Sequence, residues 1–310
     1  MTPKILVLER FSTVVPLALR FHDTASGEFV RDGLSVSAYP AGKSESRTPA
    51  VANRTGVYVL HHAAGLRAIE TGMGDESYWN TLPPKKDFVI EVNDEQRRFQ
   101  PFHFTEALPI RGIYKWTSPV PASPPSSSNS IPLYSAPTRS APSGMAVIRA
   151  DLWDKQNDVA AAWAVLEGFV DDELVVRGMS DEEGKIALLF PYPAPRPFAV
   201  NSPPQSPVTS PPAASGPPLA QQEWPVRLRA LYSPDQSPPD PFETKAATQD
   251  LRFTLSQAEA IIWADADGTQ PLTEVSLLYG QEKILRSTST TSPPSSRSSV
   301  LFITPAVSPP

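Results

Sequence analysis

Proline decides most of what this chain can become. It fills 37 of 310 positions, about twice its usual share, and much of it is gathered into blocks. Residues 118–143 hold 7 Pro and 9 Ser in 26 positions, and residues 191–218 hold 11 Pro in 28. Each Pro fixes φ and removes a backbone donor, so neither block can enter a helix interior or a central strand. Both read as semi-extended connectors, stiffer than a Gly/Ser linker. A smaller break lies at 233–241 (SPDQSPPDP), and Ser287 to Ser299 is rich in Ser, Thr and Pro. Hydrophobic residues at 40% and aromatics at 9% are ample for packed cores between the breaks, which excludes a wholly disordered chain.

Between the breaks the dominant period is two. Leu17, Leu19 and Phe21 alternate with Ala18 and Arg20, and Leu34, Val36 and Ala38 with Ser35 and Ser37. After the first Pro block the pattern resumes: Ala146, Ile148, Ala150 and Leu152, then Val226, Leu228 and Ala230, then Leu251, Phe253 and Leu255, then Val275, Leu277 and Tyr279. Such alternation buries one face of a strand and wets the other. Many short strands separated by turn signals predict antiparallel sandwiches rather than βαβ units. Helix signals are few: Asp75 to Leu82 allows two turns, and Ser256 with Glu259 fits a capping box before Ala260. The run 158–168 reads as strand. A weak repeat relates 32–62 to 160–190: the interval from Val36 to Gly56 equals that from Ala164 to Gly184, and both glycines are expected at turns needing positive φ.

Charge and composition exclude several function classes. The formal charge of −6, with basic residues scattered, argues against a nucleic-acid groove. The absence of Cys removes disulfides, thiolate metal sites and Cys nucleophiles. His61 and His62 point to opposite faces of a strand and cannot chelate together, and with His22 and His103 they complete the histidines. Asp181-Glu182-Glu183 before Gly184 lacks the spacing of a Ca²⁺ loop and reads as an exposed turn. Phosphate-loop, dinucleotide and nucleophile-elbow motifs do not occur, so no catalytic residue, metal or cofactor is expected. Ile5 to Leu8 is too short an apolar run for a signal peptide or a membrane span, and the expected compartment is the cytoplasm.

Two features point to partners. Trp residues in a sheet protein belong first to the core, but Trp116 and Trp224 each stand beside a Pro-rich block and are placed to dock a connector or a neighbour. The second feature is the 13-residue polar tether 287–299, which reaches at most about 45 Å and ends in Val300, Leu301, Phe302 and Ile303. This apolar strand on a leash either adds to an open sheet edge, its own or a neighbour's, or is a plain final strand.

Val30 to Ala38 with Thr55 to Leu60 resembles the carboxypeptidase regulatory-like (transthyretin-like) β-sandwich. A second resemblance covers 8–36, 53–61, 132–154, 181–195 and 261–287. These stretches are similar to accessory proteins of bacterial contractile injection systems, the phage-tail-like particles. That resemblance implies a structural subunit at the cap or baseplate end, with sheath, tube, cap or baseplate proteins and further copies in a homo-oligomeric ring as partners. The whole reading is an all-β chain of two antiparallel Ig-like or transthyretin-like sandwiches. The expected bounds are 1–117 for the first, 118–143 for a linker, 144–286 for the second with an insertion at 194–223, and 287–310 for the tethered strand. The expected role is non-enzymatic. A glycan- or surface-binding module is the alternative.

Overall fold

A computed structural model describes residues 13–71, 76–82, 84–119, 127–194, 219–234, 248–288 and 299–306. The Pro-rich runs at 120–126 and 195–218 and the tether 289–298 lie outside the described residues. In chain order the first elements are β1 (Leu17–Asp23), β2 (Phe29–Val30), β3 (Leu34–Pro40), β4 (Thr48–Ala52) and β5 (Val57–Leu60). A one-turn helix α1 (Glu76–Asn80) precedes β6 (Lys86–Asp94), β7 (Phe102–Leu108), β8 (Trp116–Thr117), β9 (Ser127–Ser128) and β10 (Ile131–Leu133). Then come β11 (Met145–Asp154), β12 (Val159–Ala160), β13 (Val165–Val170), β14 (Glu173–Met179), β15 (Lys185–Pro191) and β16 (Glu223–Leu231). The rest are β17 (Gln249–Asp250), α2 (Leu251–Leu255), β18 (Glu259–Ile262), β19 (Glu274–Leu278), β20 (Glu282–Leu285) and β21 (Leu301–Pro305). The protein is all-β in class.

The first sheet runs β10-β1-β5-β4-β3-β6-β7-β17, with β2 paired to β1. It bends until its ends meet. The Ile110 and Tyr114 N–H groups donate to the Pro16 and Ala18 carbonyls, both at 2.8 Å, so the chain leaving β7 returns to β1. Gln100 N–H likewise donates to the Tyr134 carbonyl at 2.9 Å. Phe21, Phe88, Ile90, Phe102, Phe104 and Leu108 fill the enclosed core with no exposed surface. Each contributes roughly 1.5–3 kcal/mol of burial.

The second sheet runs β12-β11-β21-β18-β16-β13-β14, with β15 and β20 on β11 and β19 on β16. β11 is its spine: its first seven residues pair with β15, its middle with β20 and its end with β12 and β21. The alternating residues Ala146, Ile148, Ala150 and Leu152 all point into the second core.

Three local expectations are corrected. The stretch expected as a free linker carries β10, which pairs parallel with β1 from Phe21↔Ile131 to Asp23↔Leu133; Ile131 to Ala136 are buried. Pro132 fits because β10 lies at an end of the sheet order, where one backbone edge needs no ladder. Residues 251–255 form a helix, not a strand: the Asp250 carboxylate caps it by accepting from Phe253 N–H at 3.0 Å. Ser256 therefore closes a helix rather than opening one, and 259–262 is strand.

The repeat has a physical basis in its turns. The Asn53 side-chain oxygen accepts from Thr55 and Val57 N–H at 2.9 and 3.0 Å. Asp181 does the same for Glu183 and Lys185 at 2.9 and 2.8 Å. Gly56 and Gly184, three residues on, have φ of 77° and 79°.

Candidate interaction surfaces

The C-terminal strand lies inside the chain's own sheet. β21 runs parallel to β11 on one side (Leu152↔Leu301 to Asp154↔Ile303) and antiparallel to β18 on the other (Ala260↔Pro305 to Ile262↔Ile303). Leu301 and Ile303 are fully buried in the second core, and Val300 and Phe302 are half-buried. Side chains pin it further: Phe302 N–H donates to Ser287 Oγ at 3.0 Å, and Trp263 Nε1–H to Thr304 Oγ1 at 3.0 Å. Of the two docking modes the sequence allowed, this arrangement is the one in cis.

Trp116 and Trp224 are both core residues. Trp116 meets Phe104 edge-on, with ring centroids 5.7 Å apart, and the Arg252 guanidinium lies 5.4 Å from its ring centre. What it docks is thus helix α2, returning from late in the chain. Trp224 packs with Tyr192 and Tyr279 at 5.7 and 6.4 Å, and those two tyrosines stand 4.7 Å apart. Tyr192 and Tyr279 are half-buried and border an open cavity of about 330 Å³ that also meets Ser143, Gln281 and Glu282. The Tyr192 hydroxyl is fixed by accepting from Gly280 N–H at 2.8 Å.

Sequence reasoning missed the junction between the two sheets. Alternation on β13, β14 and β16 puts Val165, Met179 and Leu231 on the face away from the second core, and all three belong to the first core, as do Leu251 and Leu255. Beside them Glu167, with no exposed surface, bridges two arginines: Arg177 Nε donates at 2.7 Å and Arg229 Nε at 2.7 Å. The three are cross-strand partners, Glu167↔Arg177 and Glu167↔Arg229. Arg177 also hydrogen-bonds Tyr134 of the first core, whose phenol burial pushes well above its usual range. Burial alone would lower the Arg177 pKa, but Tyr134 and Glu167 outweigh it and hold the guanidinium charged. The signal was present as E-x-F at 167–169 facing R-x-R at 227–229, yet no local rule pairs strands 60 residues apart.

A cavity of about 310 Å³ opens at this junction between His22, Trp116, Ser128 and Tyr134 on one wall and Leu174 to Arg177 on the other. His22 Nδ1 lies 2.9 Å from Ser130 Oγ, which lies 3.0 Å from Ser128 Oγ. Burial lowers the His22 pKa, partly opposed by Asp23. A serine nucleophile would need an acid orienting the histidine. Asp23, on the opposite strand face, is instead clamped by Arg139 at 2.6 and 2.9 Å. The hydroxyl–imidazole chain therefore holds β1 to the segment entering β10. Of the other histidines, His103 Nδ1 meets Thr248 Oγ1 at 3.2 Å and His62 pairs with Glu70 at 3.2 Å.

Among the described residues no cluster of three or more His, Cys, Asp or Glu has a metal-binding arrangement, and no helix is long and apolar enough to cross a membrane. Comparisons with protein-family models, with curated proteins and with solved structures found no match.

Proposed function

We propose that the chain is a non-enzymatic structural or adaptor component of a contractile tail-like particle, built from two Ig-like or transthyretin-like sandwich modules. The observation that carries this reading is the junction. Modules joined only by connectors move against each other by default unless their interface is large and apolar. Here Val165, Met179, Leu231, Leu251 and Leu255 enter the core of the first sheet, and Glu167 is held between two arginines at its border. Such a joint suits a part that must pass load between neighbours. Two interior ion clusters are spent on themselves, Asp23 on Arg139 and Glu167 on Arg177 and Arg229. Sheath, tube, cap or baseplate proteins are the partners that the sequence resemblance implies, with the cytoplasm as the place of assembly.

The test is co-sedimentation from the native cell. A tagged chain is expected to travel with particles that contain sheath and tube proteins. Its recovery only at the size of a free chain, with intact particles in the same lysate, would overturn the reading.

A recognition module for glycans or surfaces is the second reading, favoured by the Tyr192–Trp224–Tyr279 cluster beside a cavity that also offers Gln281 and Glu282. Aromatic walls with a few polar groups are what small-ligand sites use. Binding to immobilised polysaccharide that is lost in Tyr279→Ala would support it.

A further inference from the structure

Four strands of four or more residues have only one ladder partner among the described residues: β14 on β13, β15 on β11, β19 on β16 and β20 on β11. An unpaired strand edge is a template for another strand, so the question is which of them fits a partner and what that partner is. The limits of the β20 edge are sharp. Before it, the turn at Tyr279–Gly280 connects to β19. After it, Ser287 N–H donates to the Val300 carbonyl at 3.0 Å and Thr288 N–H to the Ala264 carbonyl at 2.8 Å, so the chain is paired again. The free edge is therefore 282–286, and Ile284 is its midpoint.

Side chains on that edge are sorted by face. Leu285 points into the second core, with half-buried Lys283 on the same side. Glu282, Ile284 and Arg286 are exposed on the other face, Ile284 by 53%. An acid and a base thus stand two residues either side of an exposed apolar centre. The Glu282 carboxylate accepts from Arg149 Nε at 2.9 Å but keeps 45% of its side chain exposed, so a second cation can reach it. A reversed copy of the same strand places Ile284 opposite Ile284 and Glu282 opposite Arg286, twice over. Apolar pairs and opposite charges directly across an antiparallel ladder are stabilising, and like charges there are not. On the inner face Lys283 falls opposite Leu285, where its stem can lie along the apolar surface while the ammonium stays in water.

The other three edges lack this self-match. Reversal of β15 about Leu188 sets Lys185 opposite Pro191, which has no donor for a ladder. Reversal of β19 about Ser276 sets Glu274 opposite Leu278, and reversal of β14 about Val176 sets Glu173 opposite Met179 and Val175 opposite Arg177. From the exposed edge and its charge symmetry we infer that β20 is a self-docking site: a second copy of this chain pairs β20 with β20 antiparallel about a two-fold axis through Ile284. The contact is isologous and closed, the commonest form of symmetric assembly. It uses up both edges that make it. Five residues a side fall short of the ~1,200 Å² that a stable interface buries, so the dimer is weak in dilute solution and fills as local concentration rises. The inference needs only a second copy and stands apart from the particle assignment.

Sedimentation velocity of the full chain over a concentration series tests it. The expected result is a reversible monomer–dimer equilibrium. Ile284→Lys and Arg286→Glu, both at exposed positions, should each weaken it by roughly tenfold or more, with circular dichroism and melting unchanged. Glu282→Arg alone should also weaken it. Mixing the Arg286→Glu chain with the Glu282→Arg chain restores opposite charges at both positions, and the mixed dimer should form. A wild-type chain that stays monomeric at its solubility limit would overturn the inference. So would a dimer indifferent to Ile284→Lys and Arg286→Glu, or a mixture that fails to pair.

Discussion

A methyl group added at Gly184 would sit 2.3 Å from the Leu152 carbonyl oxygen, on a backbone whose φ is already 79°. At Gly280 φ is 72° but nothing lies within 4 Å of the same added atom. The two positions separate strain from collision. Gly280→Ala should cost only the left-handed backbone penalty, about 1–2 kcal/mol. Gly184→Ala should cost distinctly more, because β11 must move to admit the methyl. Urea unfolding of both variants measures the difference, and equal losses would contradict it. His22 supports a second prediction at this scale. Its folded pKa lies below the ordinary imidazole value of about 6.5 because of burial, so between those two values the unfolded chain binds more protons than the folded one. Stability should therefore fall as pH drops below about 6.5 and level off once the folded group also protonates. Asp23 adds a separate loss further down. Burial opposes its ionisation, but the Arg139 pair outweighs burial and keeps its pKa below 3.8. In His22→Gln the upper of the two losses should vanish from the pH dependence of the urea midpoint, while the lower one stays.

Among elements, β21 is the one whose removal tells most. Leu301 and Ile303 have no exposed surface, and truncating a buried Leu or Ile to Ala costs roughly 2–5 kcal/mol. Leu301→Ala and Ile303→Ala should each lower the stability of the isolated chain by that order, whereas Phe302→Ala, half-exposed, should cost less. Chemical denaturation of dilute monomer reads this directly, and a strand reserved for a neighbouring subunit would leave it unmoved. The ladder partners of β21 also mark the limit of sequence reading. Alternation at Leu17–Phe21 or Ala146–Leu152 identified strands because a buried face repeats every second residue. Gly56 and Gly184 identified turns because the chemistry is local, and the structure adds the Asn53 and Asp181 side chains that close them. By contrast Leu251, Phe253 and Leu255 alternate yet form one helical turn. Five residues are too few to separate the two periods, and the decisive group, the Asp250 cap, sits just outside the run. β10 was hidden by Pro132, which reads as a breaker unless the strand is known to lie at an end of the sheet order. The pairings of Ile131 with Phe21 and of Leu301 with Leu152 span more than 100 residues, and the junction cluster is likewise non-local.

For the whole molecule the shared first core sets the unfolding behaviour. Residues of β13, β14, β16 and α2 complete it, so the two sheets are expected to melt in one transition rather than two. Replacing Glu167 by Gln leaves Arg177 and Arg229 facing each other without a counter-charge, at positions 14% and 19% exposed. Breaking such a buried pair costs about 3–5 kcal/mol. The variant should lose that much stability with both sheets affected together, as followed by near-ultraviolet circular dichroism and intrinsic tryptophan fluorescence. Two resolved transitions in the unaltered chain would show that the halves stand alone. The placement of β21 has one more consequence, for biosynthesis. β11 emerges from the ribosome some 150 residues ahead of the strand that fills its side. At translation speeds of ~5–20 residues per second, that side stays bare for on the order of ten seconds. Polysomes crowded with this message would hold many nascent chains in the same unfinished condition, making residues 152–154 the place where one chain's β21 can be captured by another before its own arrives.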